Sequence, residues 1–253
     1  MPKFEWNEQN ENLLMQLREK EKKSHAQIAE ILGTTISSVK HKYVRLNQAK
    51  NEDKHHHPKE KIEQIDRVLD GGDYFILETN AGWGNLTKHY KKYAKNLIVQ
   101  DIEKKKVEFI KSQNWKSVEP IKCDSFKEIH KYIWSGVKFD VIDVDPYGFP
   151  SRYFPHIFQL IDDGYLFITF PKMGVQQINK IMIEHYRVFW GVTLTDKEVY
   201  KEKIHRKIED YALQYYRRVA LVDFVDLGRM FRFAYKVKKE SALELVNLNV
   251  NRQ

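Results

Sequence analysis

Cysteine is nearly absent from this chain: Cys123 is the only one. That excludes an intramolecular disulfide and fits a reducing compartment. No apolar run approaches the roughly 18 residues of a membrane span. The opening "MPKFEWNEQNENLL" has no signal-peptide pattern. Together these absences argue against secreted disulfide scaffolds and membrane proteins, and the expectation is a soluble, cytoplasmic protein. Positive charge is what the sequence has in excess. With 253 residues it can bury one substantial core plus a small extra domain. Its net charge is +8 and its pI near 9.2, which suits a polyanionic partner such as nucleic acid. Part of that surplus is ordinary solvated surface, since 31% of the residues are charged. Oligomeric state leaves no mark in the sequence.

Residues 1–48 read as a small domain of short helices. In "NEQNENLLMQLREK" the residues Leu13, Leu14 and Leu17 form an apolar stripe, with Trp6 placed to cover its start. "SHAQIAEILG" opens with a capping box, Ser24 with Gln27, and closes at Gly33. Thr34 or Thr35 can cap a third helix, "TTISSVKHKYVRL", whose Ile36, Val39, Tyr43 and Leu46 recur at helical spacing. Its other face carries Ser37, Ser38, Lys40, His41, Lys42 and Arg45. A short apolar helix, a Gly-containing turn and a basic second helix describe a helix-turn-helix. "SHAQIAEILGTTISSVKHKYVRL", with Trp6 upstream, resembles the Myb-like and sigma-region-4-like DNA-binding families. The resemblance implies nucleic-acid contacts from Ser38, Lys40, His41, Lys42 and Arg45, with DNA the favoured partner and RNA possible.

Residues 49–61, "AKNEDKHHHPKEK", lack apolar periodicity and read as a linker. His55, His56 and His57 are adjacent and lack the i, i+4 geometry and further ligands of a defined site, so no metal is expected.

From residue 62 onward helices and apolar strands alternate. "KIEQIDRVLDGG" leads into the strand "YFILET", the turn "NAGWGN", a helix "LTKHYKKYA" and the strand "NLIVQD". A helix "KKKVEFIKSQ", a strand "EPIKCD", a helix "SFKEIHKYIW" and a strand "FDVIDVD" follow. This alternation predicts an α/β, doubly wound parallel sheet. Further on come a strand "GYLFITF", a helix "VQQINKIMIEHYRVFW" and, after a Thr195–Glu198 cap, a helix running through "YALQYYRRV". That last helix carries a basic face, Lys201, Lys203, His205, Arg206, Lys207, Arg217 and Arg218, and a closing hairpin follows it.

In such sheets ligands bind at the carboxyl ends of strands. Glu78 precedes a turn in which Gly82 and Gly84 permit close backbone approach to a ligand. Asp101, about twenty residues on, is placed to accept from ribose hydroxyls. Asp124, after Cys123, can accept from an adenine amino group. The turn lacks the G-x-G-x-x-G of a pyrophosphate cradle, and a glutamate there suits a cationic, phosphate-free ligand. Over residues 62–238 the chain resembles the Rossmann-like S-adenosylmethionine-dependent methyltransferases. "LETNAGWGNLT" is similar to the first motif of amino-methyltransferases of nucleic-acid bases, with Asn80 where many members have glycine. The resemblance implies a seven-stranded sheet, S-adenosylmethionine as cofactor, and Glu78, Asn80, Gly82, Gly84, Asp101 and Asp124 as its binding residues.

"DPYG" resembles the fourth motif of that company, and "DVIDVDPYGFP" followed by "DDGYLFITFPKMG" is most similar to the tRNA guanine N2-dimethyltransferases. The second proline of the common motif is missing, because Tyr147 directly follows Pro146. An exocyclic amine is a poor nucleophile because its lone pair is delocalised into the ring. Asp145 and the Pro146 carbonyl would accept its hydrogens, while Tyr147 stacks on the extruded base. Asp143 has a plainer reading, a satisfied structural acid, and Cys123 reads as a small buried residue. The expectation is methylation of an exocyclic amine, adenine N6 in DNA, with tRNA guanine N2 as the alternative. A DNA-binding regulator with a non-catalytic methyltransferase fold is the reading from outside enzymology.

Overall fold

The computed structural model describes Phe4, residues 6–171 and residues 197–240, without the side chains of residues 8, 45, 47–55 and 197–200. It comprises two compact units, Met1–Pro58 and Lys59–Gln253.

The first unit holds helix α1 (Glu8–Met15), which runs on as a π-helical turn over Gln16–Lys20, then α2 (His25–Leu32) and α3 (Ile36–His55). The capping box forms on both sides: Gln27 N donates to Ser24 Oγ at 3.3 Å and Ser24 N to Gln27 Oε1 at 2.9 Å. Gly33 ends α2 with φ 64, and Thr35 caps α3 by accepting from Ser38 N. Leu14, Leu17, Ile28, Ala29 and Val39 are buried together, with Trp6, Tyr43 and Leu46 packed on them. Leu13 and Ile36 depart from expectation and are exposed. Leu13 lies one residue, about 100° round the helix, from Leu14, so it falls off the face that Leu14 and Leu17 share. Residues 49–55, expected within a linker, continue α3. They contain no glycine, proline or β-branched residue to stop it. The break comes at His57, φ 49, before Pro58 opens the next helix.

The second unit holds α4 (Pro58–Val68) from its second residue on and β1 (Tyr74–Thr79), followed by α5 (Thr87–Tyr90), β2 (Ala94–Asp101) and α6 (Lys104–Ser112). Next come β3 (Val118–Lys122), α7 (Ser125–Trp134) and β4 (Val141–Val144). A 3-10 turn at Pro150–Tyr153, α8 (Phe154–Ile157) and β5 (Asp163–Pro171) follow. Among the described residues the chain resumes with α9 (Lys197–Gln214), β6 (Arg217–Asp226) and β7 (Met230–Lys239). The helix expected over residues 175–190 and the Thr195 cap lie outside the described residues.

The strands form one seven-stranded sheet in the order β3-β2-β1-β4-β5-β7-β6. Strands β1 to β5 pair in parallel, and β7 lies antiparallel between β5 and β6. Alternate residues feed opposite cores. Leu77, Ile142 and Ile168 pack on one face, while Ile76, Val141 and Phe167 pack on the other. Central strands covered on both faces lose polar alternation, which is why they read as apolar runs. Arg217 and Arg218 begin β6 rather than ending α9, because Tyr216 turns into the left-handed region at φ 56. Arg217 is buried, with Nε donating to the Ile161 carbonyl at 2.7 Å, and Arg218 pairs with Glu240. Among the described residues no helix is long and apolar enough to cross a membrane.

Candidate active site

The strand order reverses between β1 and β4, and in such sheets ligands bind outside the carboxyl ends of the strands at this point. After β1 the chain turns sharply: Asn80, Gly82 and Gly84 have φ 58, 60 and 78. Asparagine is among the few side chains that enter this region readily, which lets Asn80 take the positive φ of the turn. The two glycines have different reasons. A Cβ at Gly82 would meet nothing within 4 Å, leaving open space beside the turn, whereas one at Gly84 would meet Ile110 Cγ1 at 3.0 Å. Gly82 is therefore bordered by open space, while Gly84 lets α6 approach.

Asp101 ties β2 to this turn. Its Oδ2 accepts from Gly82 N at 2.9 Å and its Oδ1 from Glu103 N at 2.8 Å. Two backbone donors fix the carboxylate's orientation and leave lone pairs for hydroxyl donors. Glu78 is 2% exposed and accepts from Thr87 Oγ1 at 2.7 Å. Burial pushes its carboxyl well above the usual range, the Thr87 hydrogen bond working against it. Asp124 caps α7 by accepting from Phe126 N at 3.1 Å, with Arg152 Nη2 at 3.8 Å. Beside it the Ser125 hydroxyl is buried without a hydrogen-bond partner.

The end of β4 gathers several buried or half-buried charges. Asp143 is fully buried and Arg232 clamps it with two donors at 3.1 and 2.6 Å, while Tyr90 donates its hydroxyl at 2.6 Å. Asp143 is thus a satisfied structural acid. Two residues on, Asp145 Oδ2 takes a hydrogen bond from Lys61 Nζ at 2.5 Å. Burial works to raise the Asp145 carboxyl, but Lys61 and Arg232, with hydrogen bonds from Lys61 and Thr169, outweigh it and hold it below its ordinary value. Pro146 follows, and Tyr147 is 99% exposed. An ionised acceptor therefore sits beside an aromatic ring free to stack.

The sequence-predicted residues meet through partners that sequence reading missed. Tyr153 donates to Asn80 Oδ1 at 3.2 Å, joining the chain after "DPYG" to the turn after β1. Arg152 lies over the rings of Phe126 and Tyr153 and faces Asp124. Lys61, Arg232, Tyr90, Arg152 and Tyr153 had no motif to announce them. A cavity of about 350 Å³ at the opposite ends of β1 to β3, lined by Phe75, Asn96 and Ser117 among others, shares no residue with this group.

In the first unit, Ser38 Oγ accepts from Trp6 Nε1 at 3.0 Å. Lys42 pairs with Glu11 and lies 5.7 Å from the Trp6 ring centre. Lys40 and His41 are exposed, and the Arg45 side chain lies outside the described residues. Two of the five residues expected at a nucleic-acid surface are therefore engaged within their own unit.

No protein-family model matches the sequence, and no curated protein matches it. Solved structures do. Trm1 from Pyrococcus horikoshii, in complex with S-adenosyl-L-methionine, superposes with a TM-score of 0.55 at 15% identity, over 66% of this chain and 51% of that one. The sheet and its helices have the methyltransferase fold. Trm5b from Pyrococcus abyssi gives 0.50 at 16% identity, over 70% and 48% of the two chains. TYW2 from M. jannaschii, in complex with AdoMet, gives 0.50 at 12%, over 72% and 75%. The chain spans about half the length of the first two. At these identities the likeness is one of fold. The cluster just described lies at the switch point of this methyltransferase fold.

Proposed function

We propose that the chain is an S-adenosylmethionine-dependent methyltransferase acting on an exocyclic amine of a nucleic-acid base, adenine N6 in DNA. The observation that carries this reading is the end of β4, where an ionised Asp145 adjoins a fully exposed Tyr147. The cofactor, when bound, supplies an electrophilic methyl group on a cationic sulfur. The strand ends fit it: open space flanks Gly82, and the Ser125 hydroxyl beside Asp124 has no partner. Asp101 would hold ribose hydroxyls, Asp124 the adenine amino group, and Glu78 with Asn80 the end of β1 beside them.

Tyr147 would stack on a base taken out of its helix, and Asp145 with the Pro146 carbonyl would accept from its amine. Such acceptors favour a pyramidal nitrogen whose lone pair is free, and they balance the positive charge that grows there. In the first unit, Lys40 and His41 would face phosphates, giving a salt-dependent contribution to binding.

The test is mass spectrometry of nucleosides from DNA and RNA incubated with protein and labelled cofactor. Label on adenine N6 of DNA supports the reading in full. Label on guanine N2 of tRNA moves the substrate to RNA, and no label in either overturns catalysis and favours a non-catalytic regulator. In single-turnover assays Asp145→Ala should slow transfer by about a hundredfold or more, as loss of an electrostatic stabiliser does. Calorimetry should show unchanged cofactor affinity in the same variant. Near-normal transfer would remove Asp145 from the chemistry.

A further inference from the structure

Lys61 occupies a place that lysines avoid. It is 1% exposed, on the buried face of α4 with Gln64 and Ile65, and its ammonium meets Asp145 at 2.5 Å. Asp145 keeps 19% of its side chain exposed, so the ammonium is the charge taken most fully from water, and apolar replacements of buried pairs are often as stable or more so. Stability alone is thus a poor account of a lysine here. The cluster offers one other buried cation, Arg232, and that guanidinium is already committed to Asp143 through two donors and to Thr169 Oγ1 at 3.0 Å.

We propose that Lys61 is a positioning residue for methyl transfer, holding Asp145 as a carboxylate with one oxygen engaged and its remaining lone pairs turned to the target amine. The assignment rests on the methyltransferase reading above. The groups that face Asp145 come from every element around it. Lys61 on α4, Arg232 on β7 and the Thr169 hydroxyl on β5 favour the ionised form. The Glu78 carboxyl on β1, whose neutral form burial favours, and the Asp143 carboxylate two residues away on β4 complete the set. Without Lys61, Asp145 stays partly buried beside Asp143 and shares Arg232 with it. Its carboxyl then takes up a proton at a higher pH, and in that form it accepts more weakly and no longer balances charge growing on the amine nitrogen.

The sign follows. With Lys61 present the carboxyl stays ionised throughout the neutral range, so transfer shows no acidic limb there. Removing the ammonium raises the carboxyl's pKa, and the active ionised form is lost as pH falls through the new value.

The first readout needs no turnover: a carbon-13 NMR titration of the Asp145 carboxyl in the cofactor-free protein, assigned with Asp145→Asn. In the wild type the resonance should stay in its ionised position down to the acid limit of the fold. In Lys61→Met it should titrate about 1–3 units higher, the usual effect of losing an adjacent opposite charge. The second readout is the pH profile of single-turnover transfer. It should stay flat from the acid limit of the fold up to pH 9 in the wild type and lose its acid end, below about pH 6, in Lys61→Met, with Lys61→Arg restoring the flat profile.

A wild-type carboxyl that titrates within or above the ordinary range overturns the proposal, and that measurement stands even if Lys61→Met does not fold. Identical titrations in the two proteins overturn it as well. If the titrations behave as expected but the wild type methylates no base, the methyltransferase reading fails and the positioning role falls with it, while the ion pair itself stands.

Discussion

A carboxyl that is 2% exposed and accepts from a hydroxyl, as Glu78 does, keeps its proton at pH values where the unfolded chain has lost it. The folded-state pKa is raised, so the stability linked to that proton is complete below the unfolded value and is lost as pH rises through the folded one. Glu78→Gln replaces the carboxyl with a neutral group that can still accept from Thr87. Its stability advantage in urea unfolding should be near zero at pH 4 and grow with pH by at most about 1.4 kcal/mol per unit. A pH-independent difference would assign the effect to packing. Glu78 was legible in the sequence because it ends an apolar strand before a glycine turn, and Asn80 because it replaces glycine where φ is positive. Lys61 was not. It lay in a charged stretch, and its burial depends on which face of α4 the sheet covers.

At the scale of elements, β4 and β7 depend on each other. Asp143 stands in a strand buried along its whole length, Val141–Val144, opposite Glu78 on β1 and Phe167 on β5. The antiparallel strand β7 places Arg232 opposite Thr169 of β5, within reach of Asp143. Arg232→Met should therefore cost about 3–5 kcal/mol in denaturant unfolding, because it strands a buried carboxylate. Adding Asp143→Asn should restore much of that loss. A double variant no more stable than the single one would mean that the clamp is not the source of the cost. The strands and the closing antiparallel hairpin were readable from apolar runs and turn residues, and that β7 rather than β6 lies against β5 was not. Helix α5 is shorter than its sequence suggested, ending at Tyr90, whose hydroxyl is turned into the buried charge cluster.

For the whole molecule, the units Met1–Pro58 and Lys59–Gln253 divide the work in the proposed reading. A truncation at residue 48 would cut through α3, so the informative variant removes residues 1–57. It should weaken nucleic-acid binding and flatten its salt dependence, with cofactor affinity unchanged by calorimetry. In the full chain, Lys40→Ala should reduce the salt slope by about one, as loss of one phosphate contact does. Lys42→Ala should do less, since Lys42 already pairs with Glu11. Unchanged affinity and slope in the truncated protein would give the first unit another partner. The sequence by itself determined the features that depend on near neighbours: the capping box at Ser24, the left-handed turn at Gly82, and the acids ending apolar strands. These need only a few residues of context, because periodicity, turn angles and caps are local. The tertiary structure alone decided which cation meets which acid. Lys61 reaches Asp145 across 84 residues and Arg232 reaches Asp143 across 89. The charge balance of the site follows from the order in which strands bury their two apolar faces, and no single segment encodes that order.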